Sequence, residues 1–255
     1  MDSKRLTLSA VEWIKDWFYH NGKGCNAVIG ISGGKDSSVV AALCVEALGK
    51  DRVLGVMMPN GYQPDQCDAE KLIEHLGIRG FEINIENGVR GVAHEVWDAL
   101  DLYFGDEDKA ALSDQAEINL PPRIRMATLY AFSQSVNGRV ANTCNYSENF
   151  VGYATRFGDE AGDFSPLGNL LTDEVIDIGK ELRLPDELVE KIPSDGLCDM
   201  TDEESFGFTY DELNRYIRSG TSGDVDIDAK IKRMHDANKF KFENIQTFTP
   251  ERDFS

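Results

Sequence analysis

Apolar positions recur along this chain with two different periods, and the two periods predict different elements. Between residues 7 and 20 the apolar residues stand at positions 8, 11, 14, 17 and 18, which is the spacing of an amphipathic helix. Shorter continuous or alternating apolar runs predict four strands, over 27–32, 52–58, 81–86 and 139–144. Further helices are predicted from about 36 to 48, from 64 to about 76, and two or three over 88–137.

This succession of elements predicts the fold class. Strands that alternate with helices favour an α/β fold with a doubly wound parallel sheet, Rossmann-like, with right-handed crossovers and helices on both faces. At 255 residues the chain suits a single domain over 1–255, and it shows no internal repeat or linker. Folds of this kind bind their ligands at the carboxyl edge of the sheet.

The junction between the first strand and the following helix contains residues suited to phosphate binding. It reads Gly30-Ile31-Ser32-Gly33-Gly34-Lys35-Asp36-Ser37. The glycines let the backbone approach a ligand closely, and the N–H groups of the first helical turn are free to bind an anion. The serines add hydroxyl donors, and the carboxylate could hold a phosphate-bound Mg²⁺. We therefore expect a cradle for a nucleotide phosphate.

Two better-known phosphate loops do not fit this junction. A Walker A loop needs serine or threonine after its lysine, where this chain has Asp36. A Rossmann-type glycine pattern occurs at Gly22, Gly24 and Ala27, but it precedes the strand. The pattern Ser-Gly-Gly-x-Asp-Ser instead resembles the pyrophosphate loop of the N-type ATP pyrophosphatases. That superfamily has an adenine-nucleotide alpha-hydrolase-like fold, splits ATP between the α and β phosphates and transfers AMP to an oxygen; the loop alone does not distinguish its members.

Composition narrows the function. The formal net charge is −19, from 26 basic and 45 acidic residues, so a surface that neutralises many RNA phosphates is not expected and no nucleic acid is predicted as a partner. No apolar run approaches the length of a membrane span, and the first residues lack the apolar core of a signal peptide. The five cysteines are scattered without a C-x-x-C motif, which favours reduced thiols in a cytoplasmic protein.

Five further blocks resemble one member of the superfamily, the ammonia-dependent NAD synthetases. The first three read Asn-Leu-Pro-Pro-Arg-Ile-Arg-Met from 119, Asn-Thr-Cys-Asn-Tyr-Ser-Glu from 142, and Gly-Tyr-Ala-Thr-Arg-Phe-Gly-Asp from 152. The last two read Lys-Ile-Pro-Ser-Asp-Gly-Leu from 191 and Thr-Asp-Glu from 201, the latter followed by Gly-Phe-Thr-Tyr from 207. Together with the loop at 30–37 they follow the family's order over about 30 to 240.

Several residue types in these blocks suit the binding of phosphates and carboxylates, independently of the resemblance. Arg123 and Arg125 stand two apart, near a helix start that Pro121-Pro122 would open, and Arg156 follows a turn. Guanidinium groups suit a pyrophosphate or a carboxylate, although an isolated arginine is more often a solvated surface charge.

A pair of carboxylates is expected at one edge of the sheet. Glu148 follows the fourth strand, so it should lie at the same edge as Asp36. Two carboxylates there could hold one Mg²⁺, with phosphate oxygens and water completing its coordination. The alternative for Glu148 is an acid that caps a helix.

The resemblance implies a role for each matching position. ATP contacts are implied for Gly30, Ile31, Ser32, Gly33, Gly34, Lys35, Asp36, Ser37, Thr143 and Ser194, and Mg²⁺ ligation for Asp36 and Glu148. Contacts to deamido-NAD are implied for Arg123, Arg156, Asp163 and Lys239, and Asp159 is implied as the acceptor of the ammonia proton. The chain departs from the family at three places. Thr172 stands where the family has a lysine that contacts ATP, Pro121-Pro122 replaces the usual x-Ala, and Asn238 stands where a histidine is common.

The implied activity is a two-step ligation. The nicotinate carboxylate of deamido-NAD attacks the α-phosphorus of ATP and expels pyrophosphate, and ammonia then attacks the adenylated acid to release AMP and NAD. Free ammonia is the expected nitrogen source, since a chain of this length has no room for a glutaminase domain, unless a separate glutaminase docks. The resemblance also implies a homodimer, and segment 193–209 is the expected lid over the site.

Two other functions stay open from the sequence. One is a different N-type ATP pyrophosphatase that amidates or thiolates a small metabolite. The other is a non-catalytic nucleotide-binding protein, against which the presence of both Asp36 and Glu148 argues.

Overall fold

The computed structural model of the protein describes residues 2–62, 66–105, 111–190 and 201–250. Its strands are β1 (Asn26–Gly30), β2 (Val53–Met57), β3 (Arg79–Glu82) and β4 (Gly138–Val140). Its helices are α1 (Ser3–Asn21), α2 (Lys35–Leu48), α3 (Gln66–Leu76), α4 (Glu86–Phe104), α5 (Asp114–Ser135), α6 (Tyr146–Val151), α7 (Thr172–Glu181), α8 (Asp186–Val189), α9 (Asp202–Phe206), α10 (Tyr210–Ser219) and α11 (Val225–Asn238).

The four strands form one parallel sheet in the order β3-β2-β1-β4. The chain moves from β1 outward to β2 and β3, and then returns to place β4 on the other side of β1. The strand order therefore reverses between β1 and β4, and in open α/β sheets the crevice at such a point is where ligands bind. The loops that leave these two strands are the predicted phosphate loop and the segment that leads to Glu148.

Both faces of the sheet are covered, as predicted for a doubly wound fold. Alternate residues of a strand point to opposite faces, so Ile29 packs with the apolar sides of α1, α2 and α7, while Val28 packs with Leu129 of α5. The first helix follows most of its predicted pattern, because Val11, Ile14 and Phe18 are buried in the core, but Leu8 is exposed.

The third strand is shorter than predicted: it lies at Arg79–Glu82 instead of 81–86, so it begins two residues earlier and ends four residues earlier. The N–H groups of Ile83 and Ile85 still donate to carbonyls of Met57 and Pro59, but α4 begins at Glu86. The Asn84 side chain accepts hydrogen bonds from the N–H groups of Glu86 and Gly61, which turns the chain away from the sheet.

The predicted helix start at Pro121-Pro122 is wrong. The helix begins seven residues earlier, at Asp114, and Ser113 caps it by accepting a hydrogen bond from the N–H of Ala116. Both prolines lie inside α5 and are buried, and Pro122 lies against Gly158 of the loop that carries Arg156. Prolines inside a helix remove two ladder hydrogen bonds, so tertiary packing has to hold this part of α5 together.

Helix lengths and composition also bear on membrane insertion. Over the ranges that the structure describes, no helix is both long and apolar enough to cross a bilayer.

Candidate active site

The loop at 30–37 joins β1 to α2 as predicted. Gly33 has φ +79°, and a Cβ added there would lie 2.8 Å from Cβ of Asp68 and 2.9 Å from the backbone nitrogen of Ala69. Only glycine fits this close approach of the loop to α3. Gly34 caps α2 without any side-chain hydrogen bond, so the amino end of the helix can donate to an anion.

Two serines hold the loop in shape. The Ser32 hydroxyl accepts a hydrogen bond from the N–H of Gly34 and lies 3.1 Å from the hydroxyl of Ser37, which in turn donates to the carbonyl of Gly34. These bonds occupy hydroxyl groups that sequence reasoning assigned to the ligand, although each oxygen keeps acceptor or donor capacity.

The structure brings Asp36 and Glu148 together around the ammonium group of Lys35. Nζ of Lys35 lies 2.8 Å from Oδ2 of Asp36 and 3.6 Å from Oε1 of Glu148, and the lysine side chain is only 4% exposed. Glu148 lies in the first turn of α6, and the residue that caps this helix is Asn145, whose side chain accepts the N–H of Glu148. The alternative of a capping role for Glu148 is therefore wrong.

Burial and neighbouring charges shift the pKa values of Glu148 and Lys35. Burial, followed by repulsion from Asp36, raises the pKa of the Glu148 carboxyl to about 8, against the opposing effect of Lys35. Burial on its own lowers the pKa of Lys35, but the charges of Asp36 and Glu148 outweigh it and the pKa is raised. The ammonium group thus stays charged, and a cation between the two carboxylates stabilises both of them.

The amide of Asn145 is a site residue that sequence reasoning missed. Its Nδ2 donates to Oδ1 of Asp36 at 3.0 Å, and its Oδ1 lies 3.5 Å from the hydroxyl of Thr172. Thr172 is buried at the first position of α7, and its N–H donates to the hydroxyl of Ser147. The signal that could have found Asn145 is its position directly before a short helix that begins at the end of a strand.

The buried thiol of Cys144 connects Asp159 to the group formed by Lys35, Asp36 and Glu148. Sγ of Cys144 is 3.5 Å from the carbonyl of Asp159, and burial, together with the charges of Asp159 and Glu148, raises the pKa of Cys144 well above its ordinary value. Burial also raises the pKa of Asp159, although the N–H of Thr155 donates to its carboxylate at 2.7 Å. Thr143, predicted to contact ATP, lies one residue before the thiol in the loop after β4.

Arg123 and Arg156 are brought together. Nε of Arg123 donates to the carbonyl of Arg156 at 3.4 Å, so a residue from the middle of α5 meets the turn after α6. The guanidinium of Arg156 lies over the rings of Phe157 and Phe240, and its Nη2 donates to the carbonyl of Glu243. Its Nε is buried without a hydrogen-bond partner among the described residues.

The neighbouring Arg125 has a structural role. Its Nε donates to the carbonyl of Met58 just beyond β2, and burial lowers its pKa.

A polar hollow of about 360 Å³ adjoins Asp163. Tyr130, two helical turns after Arg123, donates its hydroxyl to Asp163, and the N–H of Val140 donates to the other carboxylate oxygen. The Oδ1 atom of Asn149 is buried at this hollow without a partner among the described residues. An unsatisfied acceptor of this kind suits a ligand that brings a donor.

The carboxyl-terminal segment holds two lysines, and the substrate contact that the resemblance implies for Lys239 stays a prediction. Lys239 is exposed, whereas Nζ of Lys241 donates to the carbonyls of Gly152 and Ala154. Asn238 packs against Gly152 and donates to the carbonyl of Val151, so this departure from the family has a packing role here. Lys241 stands two residues further along, where no motif marks it.

Part of the predicted site lies outside the described residues. Ser194, the block from 191 to 197 and the first half of the expected lid fall there. The second half of that segment is described, and Thr201 caps α9 there. Tyr210, directly after the segment, donates its hydroxyl to Asp202, and its ring lies under Nζ of Lys35 at 5.5 Å.

Comparison with known proteins agrees with this arrangement. A family model described as NAD synthase matches residues 7–254. The NH(3)-dependent NAD(+) synthetase of Finegoldia magna is 38% identical over 245 residues, which is 94% of this chain and 95% of that protein.

Two solved structures share the fold. The NMN synthetase of Francisella tularensis has a TM-score of 0.85 at 30% identity, covering 99% of this chain and 100% of that one. The NH3-dependent NAD synthetase of Campylobacter jejuni has a TM-score of 0.75 at 26% identity, covering 98% and 100%. Since both the family model and the Finegoldia relative span nearly the whole sequence, the chain belongs to the NAD synthase family.

Proposed function

We propose that this protein makes NAD from deamido-NAD, ATP and ammonia through an adenylated acid, with release of AMP and pyrophosphate. The observation that carries the proposal is the meeting of the 30–37 loop with Glu148 at the strand-order reversal, in a chain of the NAD synthase family. A phosphate cradle and a carboxylate pair at one sheet edge are the parts that pyrophosphate departure needs.

In the first step the loop orients ATP and stabilises its leaving pyrophosphate. The N–H groups at the start of α2 donate to phosphate oxygens, while the serine hydroxyls hold the loop in shape. Carboxylates are poor acceptors of amines because oxide is a poor leaving group, and adenylation replaces it with a phosphate monoester. The role of this chain is therefore mostly orientation and charge stabilisation.

The carboxylate pair fits Mg²⁺. Asp36 and Glu148 already share one cation, Nζ of Lys35, and Mg²⁺ is commonly held by one or two carboxylates together with substrate phosphates. No group of three possible ligand side chains occurs among the described residues, which agrees with a site that needs the nucleotide to complete it. Bound there, Mg²⁺ would neutralise charge that develops on the pyrophosphate.

In the second step Asp159 takes the proton that ammonia loses as it attacks the adenylate. Its carboxyl is well buried and its pKa is raised by that burial, so it is a better proton acceptor than an exposed aspartate. The nitrogen donor in this proposal is free ammonia.

Arg123, Arg156 and Asp163 form the acid-substrate side of the proposed site. The free Nε of Arg156 and the unsatisfied oxygen of Asn149 offer a donor and an acceptor to a phosphorylated nucleotide. We add Lys241 to this side, together with the predicted Lys239, because Lys241 holds the carbonyls of the turn that precedes Arg156.

A second candidate substrate is nicotinate mononucleotide. The observation in its favour is the similarity to the Francisella NMN synthetase, whose TM-score of 0.85 exceeds the 0.75 of the Campylobacter NAD synthetase. The chemistry at the carboxylate would be the same, and the two substrates differ only in the adenylyl half that lies away from the reacting group.

One assay tests the reaction and the choice of substrate. Purified protein is given ATP, Mg²⁺, ammonium and either acid, and NAD, NMN, AMP and pyrophosphate are quantified. Equimolar NAD and AMP, with ¹⁸O passing from labelled nicotinate carboxylate to AMP, is the expected result. Release of ADP, or product without label in AMP, refutes adenylation; a larger kcat/KM with the mononucleotide selects the second candidate.

We further propose that the protein is a homodimer in which α4 lies at the interface. One side of this helix exposes the apolar residues Val92, Val96 and Tyr103, which line a hollow of about 540 Å³. An exposed apolar patch on a single helix is typical of a surface that another chain covers.

A further inference from the structure

Lys35 occupies the position that a metal ion would need in order to touch both carboxylates. Its Nζ lies 2.8 Å from Asp36 and 3.6 Å from Glu148, while the ring of Tyr210 lies 5.5 Å away on another side. Among the described residues it is the only basic side chain within 4.0 Å of either carboxylate. Both acids therefore face one internal cation, Nζ of Lys35.

We propose that Lys35 is a counter-ion that Mg²⁺ displaces, and that the displaced ammonium group moves onto the phosphates of ATP. This inference rests on the proposed use of ATP and adds a rule for the order of binding. The metal and the nucleotide bind together, because Lys35 leaves the carboxylates only when phosphate oxygens can receive it, and the metal binds only when Lys35 has left.

The first half of the exchange follows from space and charge. Mg²⁺ sits about 2.0–2.1 Å from its oxygen ligands, so an ion bound by both carboxylates would overlap the place of Nζ. Two cations cannot share that position, and the lysine has to leave before the metal is bound. A buried ammonium group that loses its anions without new ones is strongly disfavoured.

The second half follows from the place of Lys35 in the chain. It is the first residue of α2, directly after Gly34, so its backbone belongs to the phosphate cradle. Phosphate oxygens bound at the amino end of α2 would lie within reach of a four-carbon side chain that starts there. Nucleotide binding thus supplies the anions that the displaced lysine needs.

Without nucleotide, wild-type protein should then bind a divalent cation weakly. Replacing the lysine by an uncharged side chain of similar length removes the competing cation and leaves both carboxylates in place. Lys35→Met should therefore bind Mn²⁺ about tenfold or more tightly than wild type in the absence of nucleotide, since a full positive charge no longer competes for the site. The same variant should bind α,β-methylene-ATP more weakly at saturating Mn²⁺.

Lys71→Met is the matched control. Lys71 also pairs with two carboxylates, at 3.4 Å from Asp68 and 3.1 Å from Glu187, but its side chain is 50% exposed. Removing it takes away a half-exposed cation and should leave both affinities at wild-type values. Exposed pairs of this kind contribute little.

The measurement is Mn²⁺ binding by electron paramagnetic resonance, with and without α,β-methylene-ATP, together with thermal denaturation in Mg²⁺ alone. Support consists of a tighter Mn²⁺ site in Lys35→Met, and of a rise in its melting temperature with Mg²⁺ that wild type lacks. An unchanged Mn²⁺ affinity, or an unchanged nucleotide affinity, overturns the proposal. If Lys35→Met does not fold, Lys35→Gln, whose amide can still donate to Asp36, is measured by the same criteria. None of these readouts depends on which acid is amidated, so failure of the proposed reaction would be seen separately.

Discussion

Replacing Gly33 by alanine should damage the loop far more than the same change at Gly24. The two glycines have nearly equal φ angles, +79° and +77°. A Cβ at Gly24 would meet no atom within 4 Å, whereas a Cβ at Gly33 would lie 2.8 Å from Cβ of Asp68 and 2.9 Å from the nitrogen of Ala69. Gly24→Ala is thus a control for the backbone conformation alone.

The loss of stability in the two variants should differ by the cost of the steric clash at Gly33. A left-handed conformation costs an L-residue about 1–2 kcal/mol, and this applies to both variants. Gly33→Ala adds overpacking against the backbone of α3, which costs about 1–3 kcal/mol more because helix backbone cannot rotate away as a side chain can. With a shift of about 2–4 °C per kcal/mol for a chain of this size, Gly33→Ala should melt about 2–12 °C below Gly24→Ala.

Thermal denaturation and calorimetric titration with α,β-methylene-ATP measure the two consequences. If α3 moves to relieve the contact, part of the stability returns, but the loop then widens and ATP binding weakens. Equal melting temperatures combined with equal ATP affinities in the two variants would refute the assignment of a close loop–helix contact.

Three further predictions concern protonation, the carboxyl-terminal segment and assembly. The Glu148 pKa is raised from 4.5 to about 8, so the folded state holds this proton more tightly than the unfolded state does; the stability it contributes is full below pH 4.5 and is lost as the pH rises through about 8. Metal-free wild type should therefore lose thermal stability over that range more steeply than Glu148→Gln, and parallel curves would contradict this. Phe240→Ala removes a ring that lies against Arg156, so it should raise KM for the acid substrate several-fold and leave KM for ATP unchanged. Phe248→Ala, in the exposed end of the same segment, should change neither KM. Equal effects of the two variants would show that the ring of Phe240 does not position the arginine. Val96→Glu, in the apolar hollow along α4, should shift sedimentation from dimer to monomer, while Leu8→Glu at an exposed position of α1 should not, and a monomeric wild type would exclude the interface.

The elements that the sequence predicted well are those whose pattern is dictated by burial. β1 and β2 are covered on both faces, so their apolar runs are continuous, and α1 has one covered side and hence one apolar stripe. The predicted third strand extends too far because Ile83 and Ile85 continue the alternation beyond Glu82, with covered side chains and with N–H groups that still donate to carbonyls of Met57 and Pro59. Periodicity alone does not separate a regular strand from an extended segment that follows it.

The start of α5 shows a different failure. A proline pair is typical of a first helical turn, and that local preference placed the start at Pro121. The actual cap is Ser113, and the prolines are tolerated inside the helix because they are buried against neighbouring segments. Tertiary packing has overridden the local preference, and the effect depends on residues far away in the chain.

The site was predictable to the extent that topology places it. Asp36 and Glu148 follow strands that turn out to be neighbours, so position at a strand end was sufficient to bring them together. Lys241 donates to backbone carbonyls, and Asn145 makes its contacts through its side-chain amide. Contacts of this kind can be made by several residue types, so no sequence motif identifies them.

The position of the site's cation connects these observations. Thr172 reaches the carboxylate pair through Asn145, since its hydroxyl lies 3.5 Å from Oδ1 of Asn145 and Nδ2 of that amide donates to Asp36. A lysine at 172 would thus act on the same two acids that Lys35 already contacts. Two ammonium groups would cancel the charge of both ionised acids and weaken their hold on a metal ion, whereas with one ammonium group the ionisation of Glu148 leaves a net negative charge that attracts the metal. The uncharged, buried Thr172 and the buried Lys35 are therefore complementary: the loop supplies the cation, and α7 supplies a neutral hydrogen-bonding wall that keeps Asn145 oriented toward Asp36.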